Sequence, residues 1–233
     1  MAYNLAGAII ENNDLSMYWG NTSEYVPEKI PEKRRFLPAE FYQEMCNNCI
    51  ICCCDILLVR NNPITSTSGN KKKECLLVER ASEPVKGSWW WPGGRMFKGE
   101  TFFDAALRKM RDEVGIEIDL KNCAKYGDSS SDNVESSKKV LLQVMGIYNT
   151  FFPSSAWDTE TEKGTQTVNA IVLIVLPDPD SQKYDILLDK TSERFKWICL
   201  DADDAEKNGE EIYVVEALRR LSAWNKTYGK LWS

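Results

Sequence analysis

The chain has 233 residues, 43% of them hydrophobic and 27% charged, with a formal net charge of −6. That balance fits a globular chain of one domain or at most two, and the acidity argues against nucleic acid or a basic membrane-facing surface. The longest apolar run, Ala170 to Leu176, is too short to cross a bilayer, and the N-terminus lacks the basic stretch and sustained apolar core of a secretory signal.

Residues 1–35 read as an N-terminal extension with weak periodicity and a proline-punctuated, charged end, and residues 36–233 as one domain. Pro38 to Asn47 predicts a short helix, with proline tolerated in its first turn. Ile50 to Arg60 reads as a buried strand, Asn61 to Lys72 as a polar loop, and Glu74 to Arg80 as a second strand. Trp89 to Trp91 is a short third strand ending at Pro92-Gly93-Gly94. Thr101 then caps a helix, with Asp104 as the weaker acidic arm of a capping box. Phe103, Ala106, Leu107, Met110 and Val114 follow the spacing of one apolar face, and Gly115 closes the helix. Val140 to Phe152 and Thr167 to Leu176 are long strands, separated by a loop carrying Asp158, Glu160 and Glu162. Phe195 to Leu200 is the final strand and Ile212 to Tyr228 a terminal amphipathic helix. Strands on both sides of a central helix point to an α+β sandwich rather than a doubly wound sheet.

The chain has eight cysteines and no histidine. Cys46, Cys49 and Cys52 have the spacing of a metal knuckle, but a zinc site wants a second ligand pair at a distance. Cys52 to Cys54 also lie inside an apolar run, where cysteine acts as a small buried hydrophobe. Free thiols in a reducing, cytoplasmic setting are the expectation, and the sequons at Asn21 and Asn225 are then incidental.

Chemistry concentrates between Gly87 and Ile116, GSWWWPGGRMFKGETFFDAALRKMRDEVGI. Successive glycines let a backbone approach a ligand closely. Carboxylates spaced along the following helix project to one side, where a hard cation such as Mg2+ takes oxygen ligands and substrate phosphates. Arginines nearby bind phosphate oxygens bidentately. Because the chain is acidic overall, a polyanionic ligand needs such a local cluster. A solvated surface helix would show the same charges without the preceding Trp89-x-x-Pro92-Gly93-Gly94-Arg95. Trp90 is a candidate to stack on a base or sugar; in a short strand that alternates faces, Trp89 and Trp91 read as core.

These residues resemble the Nudix box, G-x5-E-x7-R-E-U-x-E-E-x-G-U with U apolar. Gly94, Glu100, Arg108, Met110, Glu113, Gly115 and Ile116 match in register, Asp112 is a conservative departure, and Lys109 stands where the family carries a glutamate. The resemblance implies a Nudix-type α/β/α sandwich with a mixed central sheet. FLPAEFYQEM, CCDILLV and ECLLVERASEPVKGSWWWPGGR are similar to the GDP-mannose mannosyl hydrolase branch, which also lacks the carboxylate at the position of Lys109. That likeness covers roughly Phe36 to Trp197. It implies that Asp55, Arg80, Arg95 and Arg108 sit at substrate-contacting or active-site positions. It also implies that the Gly93 carbonyl and Glu113 hold Mg2+ (or Mn2+), with Asp112 as a further candidate ligand. Lys109 either pairs with Glu113 one turn on or neutralises phosphate charge.

In that branch a metal-binding Gln and a basic His precede the last strand; here Thr191 and Ser192 stand in those places. An unassisted hydroxyl is a poor base, so a carboxylate or a metal-bound hydroxide is needed. Glu193 and Asp189 are the nearest candidates, with Asp158, Glu160 and Glu162 as loop alternatives. The implied activity is Mg2+-dependent hydrolysis of a nucleoside diphosphate sugar by attack at the anomeric carbon. The alternatives are P–O cleavage of a nucleoside diphosphate derivative, and nucleotide binding without catalysis. Homodimerisation is expected on the resemblance alone.

Overall fold

The computed structural model describes residues 37–62, 72–118, 123–125, 140–155, 164–177 and 184–228. The N-terminal extension and the acids Asp158, Glu160 and Glu162 lie outside the described residues. In chain order the elements are α1 (Ala39–Asn48), β1 (Ile51–Asn61), β2 (Lys73–Arg80), β3 (Trp89–Trp90), β4 (Gly93–Arg95) and α2 (Phe102–Lys109). A one-turn π segment (Met110–Val114) continues α2. There follow β5 (Cys123–Lys125), β6 (Val140–Phe152), β7 (Thr165–Val175), β8 (Ser192–Cys199), α3 (Ala202–Lys207) and α4 (Ile212–Tyr228).

Strand β1 explains the layering. Successive side chains point to opposite faces of a sheet, and both faces of this strand are apolar. Cys54, Ile56 and Leu58 enter one core cluster with Phe103, Ala106 and Met110 of the α2 unit. Leu57 and Val59 enter another with Val214, Leu218 and Leu221 of α4. A strand covered on both sides reads as a continuous apolar run, as this one does. The described residues form one eight-stranded sheet, with the path β3-β2-β1-β7-β6-β5, β4 on β1 and β8 on β2. β1–β7 and β5–β6 are parallel while β1–β2 and β6–β7 are antiparallel. The protein is therefore the α/β/α sandwich with a mixed sheet that the sequence implies.

Helix α2 begins as its sequence requires. The Thr101 hydroxyl accepts the Asp104 N–H at 3.1 Å, and the Asp104 carboxylate accepts the Thr101 N–H at 3.1 Å, completing the capping box. Its end departs from a straight helix. The π segment widens the last turn, and Gly115 closes it at φ 77°. In this turn Glu113 faces inward while Asp112 stays in solvent.

Three elements escape the sequence pattern. β4 consists of Gly93, Gly94 and Arg95 and has little strand propensity of its own. It pairs because glycine permits the approach: a Cβ on Gly93 would lie 2.5 Å from the Cys54 carbonyl oxygen. β5 is three residues held by β6, and α3 is a single short turn region capped by Asp201. β8 also starts at Ser192, earlier than the apolar signal at Phe195, through pairing with Arg80.

Candidate active site

A cavity of about 400 Å³ opens where α1, the first half of β1, β4, the end of the α2 unit and the start of β7 converge. On its floor is Asp55, 3% exposed. Its Oδ2 accepts the Asn169 amide at 2.7 Å and the Tyr213 hydroxyl at 2.8 Å. The Asn169 side-chain oxygen accepts the Thr167 hydroxyl in turn. Burial pushes the Asp55 carboxyl up to about 6, against the lowering effect of Tyr213, Asn169 and the Arg80 charge. Burial, and then the Asp55 charge, raise the Tyr213 phenol.

Arg80, at the end of β2, donates from Nε to the Pro84 carbonyl at 2.7 Å. Burial works against its charge, and Asp55 and Glu113 favour it. Arg95 reaches the cavity from β4, its guanidinium 4.6 Å from the Tyr42 ring centroid. The fourth ionic group is a pair. Glu113, 7% exposed, accepts the Lys109 ammonium on Oε1 at 2.6 Å and the Gly93 N–H on Oε2 at 2.9 Å. Lys109 crosses the face of Gly94, whose absent Cβ would lie 3.0 Å from Nζ.

The structure brings Asp55, Arg80, Arg95, Gly93 and Glu113 of the sequence candidates around this cavity. Arg108, Asp112 and Glu193 do not line it, and Trp90 lines it in another role. Arg108 is held by Glu100 at 2.5 and 2.9 Å and donates to the Arg95 carbonyl at 3.1 Å. Glu100 also accepts the Phe97 N–H at 2.7 Å, so this pair fastens the loop following β4 and does not line the cavity. The Asp112 side chain is 43% exposed and ion-paired to Arg111 at 2.8 Å, away from Glu113. Glu193 is exposed: Ser192 lines the cavity, and strand alternation turns the next residue away. Trp90 lines the cavity but is 6% exposed and already stacked on Tyr213, 4.6 Å between centroids, so it is no free platform. Trp91 is buried as expected, whereas Trp89 is half-buried beside Lys196 at 4.3 Å. Asp189 accepts the Thr191 N–H at 2.9 Å and shapes the turn before β8.

The sequence reading missed Tyr213, Asn169, Thr167, Thr165 and Tyr42. For β7 a signal exists: Thr165, Thr167 and Asn169 put polar groups at every second position before an apolar run. All three are buried.

A glycine-rich strand and helix that set arginines, a lysine and a carboxylate around one sandwich cavity are the arrangement of a hydrolase-type site. Whole-domain comparison agrees with that class. The NUDIX domain profile matches residues 68–213, and the chain belongs to this family of hydrolases. Low-salt glycan biosynthesis protein Agl8 of Haloferax volcanii is 40% identical over 43 residues, 18% of this chain and 28% of that protein. The chain thus matches little more than a quarter of that curated relative's length. Among solved structures, a C. elegans Ap4A hydrolase binary complex is 21% identical, with a TM-score of 0.48, covering 76% of this chain and 99% of its own. The NUDIX domain of Shewanella oneidensis NrtR complexed with ADP ribose is 13% identical, with a TM-score of 0.45, covering 78% and 97%.

Nudix hydrolases generally use Mg2+ or Mn2+. The donor set here does not fit such an ion. Both Glu113 oxygens already accept, one from an ammonium. Glu100 is engaged by Arg108, and Asp112 faces solvent. Among the described residues no group of three or more Cys, Asp or Glu could hold a metal.

Proposed function

We propose that the protein hydrolyses a nucleoside diphosphate sugar of the GDP-mannose type by attack of water on the anomeric carbon. One observation carries this: a buried carboxylate, Asp55, shares the cavity with Arg80, Arg95 and Lys109. Attack at phosphorus supported by several metal ions calls for a set of carboxylates, and the loop–helix unit turns a single one, Glu113, into the cavity. Attack at carbon calls for a base and for stabilisation of a leaving pyrophosphate. A carboxyl near 6 is ionised at neutral pH and still basic enough to take a proton from water. As the water oxygen bonds to the anomeric carbon, the C–O bond breaks and its electron pair stays on the nucleoside diphosphate. The water proton passes to Asp55. Arg80, Arg95 and Lys109 stabilise the charge that develops on the leaving group.

A cavity of about 400 Å³ is within the range of small-molecule sites. The name of the Haloferax volcanii relative, a glycan biosynthesis protein, supports a sugar nucleotide, because glycan assembly draws on activated sugars. The free thiols suit a cytoplasmic setting. No helix among the described residues is long and apolar enough to cross a membrane. Homodimerisation rests on the likeness to the mannosyl hydrolase branch.

The test is product identification by mass spectrometry with a panel of nucleotide sugars. Free sugar plus nucleoside diphosphate is expected, and Asp55→Asn should abolish turnover while keeping nucleotide binding. Sugar phosphate plus nucleoside monophosphate would overturn the proposal in favour of phosphorus attack. Nucleotide binding without turnover would overturn it in favour of a non-catalytic role.

A further inference from the structure

We infer that Lys109 is the resident cation of the pyrophosphate site, so that the diphosphate group binds without a divalent metal. Three observations lead there. The ammonium is 2.6 Å from Glu113, the one carboxylate that the loop–helix unit turns into the cavity. Mg2+ demands oxygen ligands at about 2 Å in near-octahedral order, and on an oxygen that already holds an ammonium a dication meets the repulsion of a like charge. The other Glu113 oxygen accepts the Gly93 N–H at 2.9 Å, so an ion on this carboxylate would stand against the Lys109 ammonium, whose charge opposes it.

The lysine is also built into its place. Its side chain is 18% exposed and lies over Gly94, with Nζ and Cε 3.0 and 3.4 Å from the position of an absent Cβ. The glycine therefore makes room for the cation. An ammonium has three N–H donors and one is used by Glu113, which leaves two for ligand oxygens in a cavity that Lys109 itself lines. Arg80 and Arg95 line the same cavity and add two more cationic groups to meet a diphosphate. Lysine binds phosphate as a point charge, which suits it to stand in for an ion.

That the ligand carries a diphosphate rests on the proposed function, and the test separates the two. Inorganic pyrophosphate and GDP are titrated calorimetrically into the full chain in excess EDTA and again in Mg2+. The wild type is expected to keep its affinity within about threefold between the two conditions. Lys109→Met should lose at least tenfold in both, about 1.4 kcal/mol. Lys109→Glu, which restores a carboxylate beside Glu113, should bind pyrophosphate at least tenfold more tightly with Mg2+ than without. Thermal shift in pyrophosphate gives a second readout for variants of altered stability. A wild type that loses tenfold in EDTA, or that binds neither probe in either condition, overturns the inference. Metal-independent binding with no hydrolysis of any nucleotide sugar would sustain Lys109 and refute the proposed reaction. Hydrolysis that requires Mg2+ would do the reverse.

Discussion

The Asp55→Asn variant isolates a charge that the fold holds at a cost. Asp55 is 3% exposed, and its carboxyl is raised from 3.8 to about 6, chiefly by burial. In the unfolded chain this group releases its proton first, so between pH 3.8 and about 6 the native state binds more protons than the unfolded state. Stability is therefore lost as pH rises through that window. The difference corresponds to roughly 3 kcal/mol, at about 1.4 kcal/mol per pK unit. Asparagine keeps an oxygen for the Tyr213 hydroxyl and the Asn169 amide while removing the charge. Urea denaturation of the ligand-free proteins from pH 4 to pH 7 measures the effect. The wild type should lose about 2.5 kcal/mol relative to Asp55→Asn over that range, the rest of the difference falling below pH 4. Parallel profiles would refute the reasoning, and so would a wild type that gains relative stability as pH rises, the mark of a carboxyl held low by Arg80.

Three further outcomes follow from the site. Tyr213→Phe removes a donor that favours ionised Asp55, so the acidic limb of the pH–rate profile should move to higher pH, and an unmoved limb would separate Asp55 from catalysis. Gly93→Ala meets the Cys54 carbonyl oxygen at 2.5 Å and Asp55 Oδ1 at 2.6 Å at φ 157°. It should cost roughly 3 kcal/mol and lower Tm by roughly 6–12 °C; Gly87→Ala, with nothing within 4 Å, should cost about 1 kcal/mol. Arg108→Ala strands Glu100, whose side chain is 6% exposed. It should destabilise by about 3 kcal/mol in urea, with part regained in the double variant lacking both side chains, whereas a loss below about 1 kcal/mol would show that the pair does not fasten the loop.

Local sequence carried much of the fold. The continuous apolar run of β1 and the apolar stripe and cap of α2 are strong periodic signals that tertiary packing reinforces. The glycines and Glu113 were legible from spacing and family likeness together, and Arg80 and Arg95, which line the cavity, from the likeness alone. What escaped depends on contacts across long separations. Tyr213 meets Asp55 from the far end of the chain, and no local pattern announces that hydrogen bond. Asp112 and Glu113 are neighbours in one motif, yet the π segment gives them opposite surroundings. Arg108 and Glu100 have the spacing of active-site residues and serve instead to clasp the loop. Glu193 falls on the solvent side because β8 begins one residue before it. Lys109 pairs with Glu113, one of the two roles its sequence position allows, and that pairing fixes where its charge stands.

The most direct test is the fate of the water oxygen. The protein is incubated with GDP-mannose in 18O-labelled water containing EDTA, and the products are separated and weighed. The account predicts turnover with the label in the free sugar and none in GDP. Label in a phosphate group would contradict it.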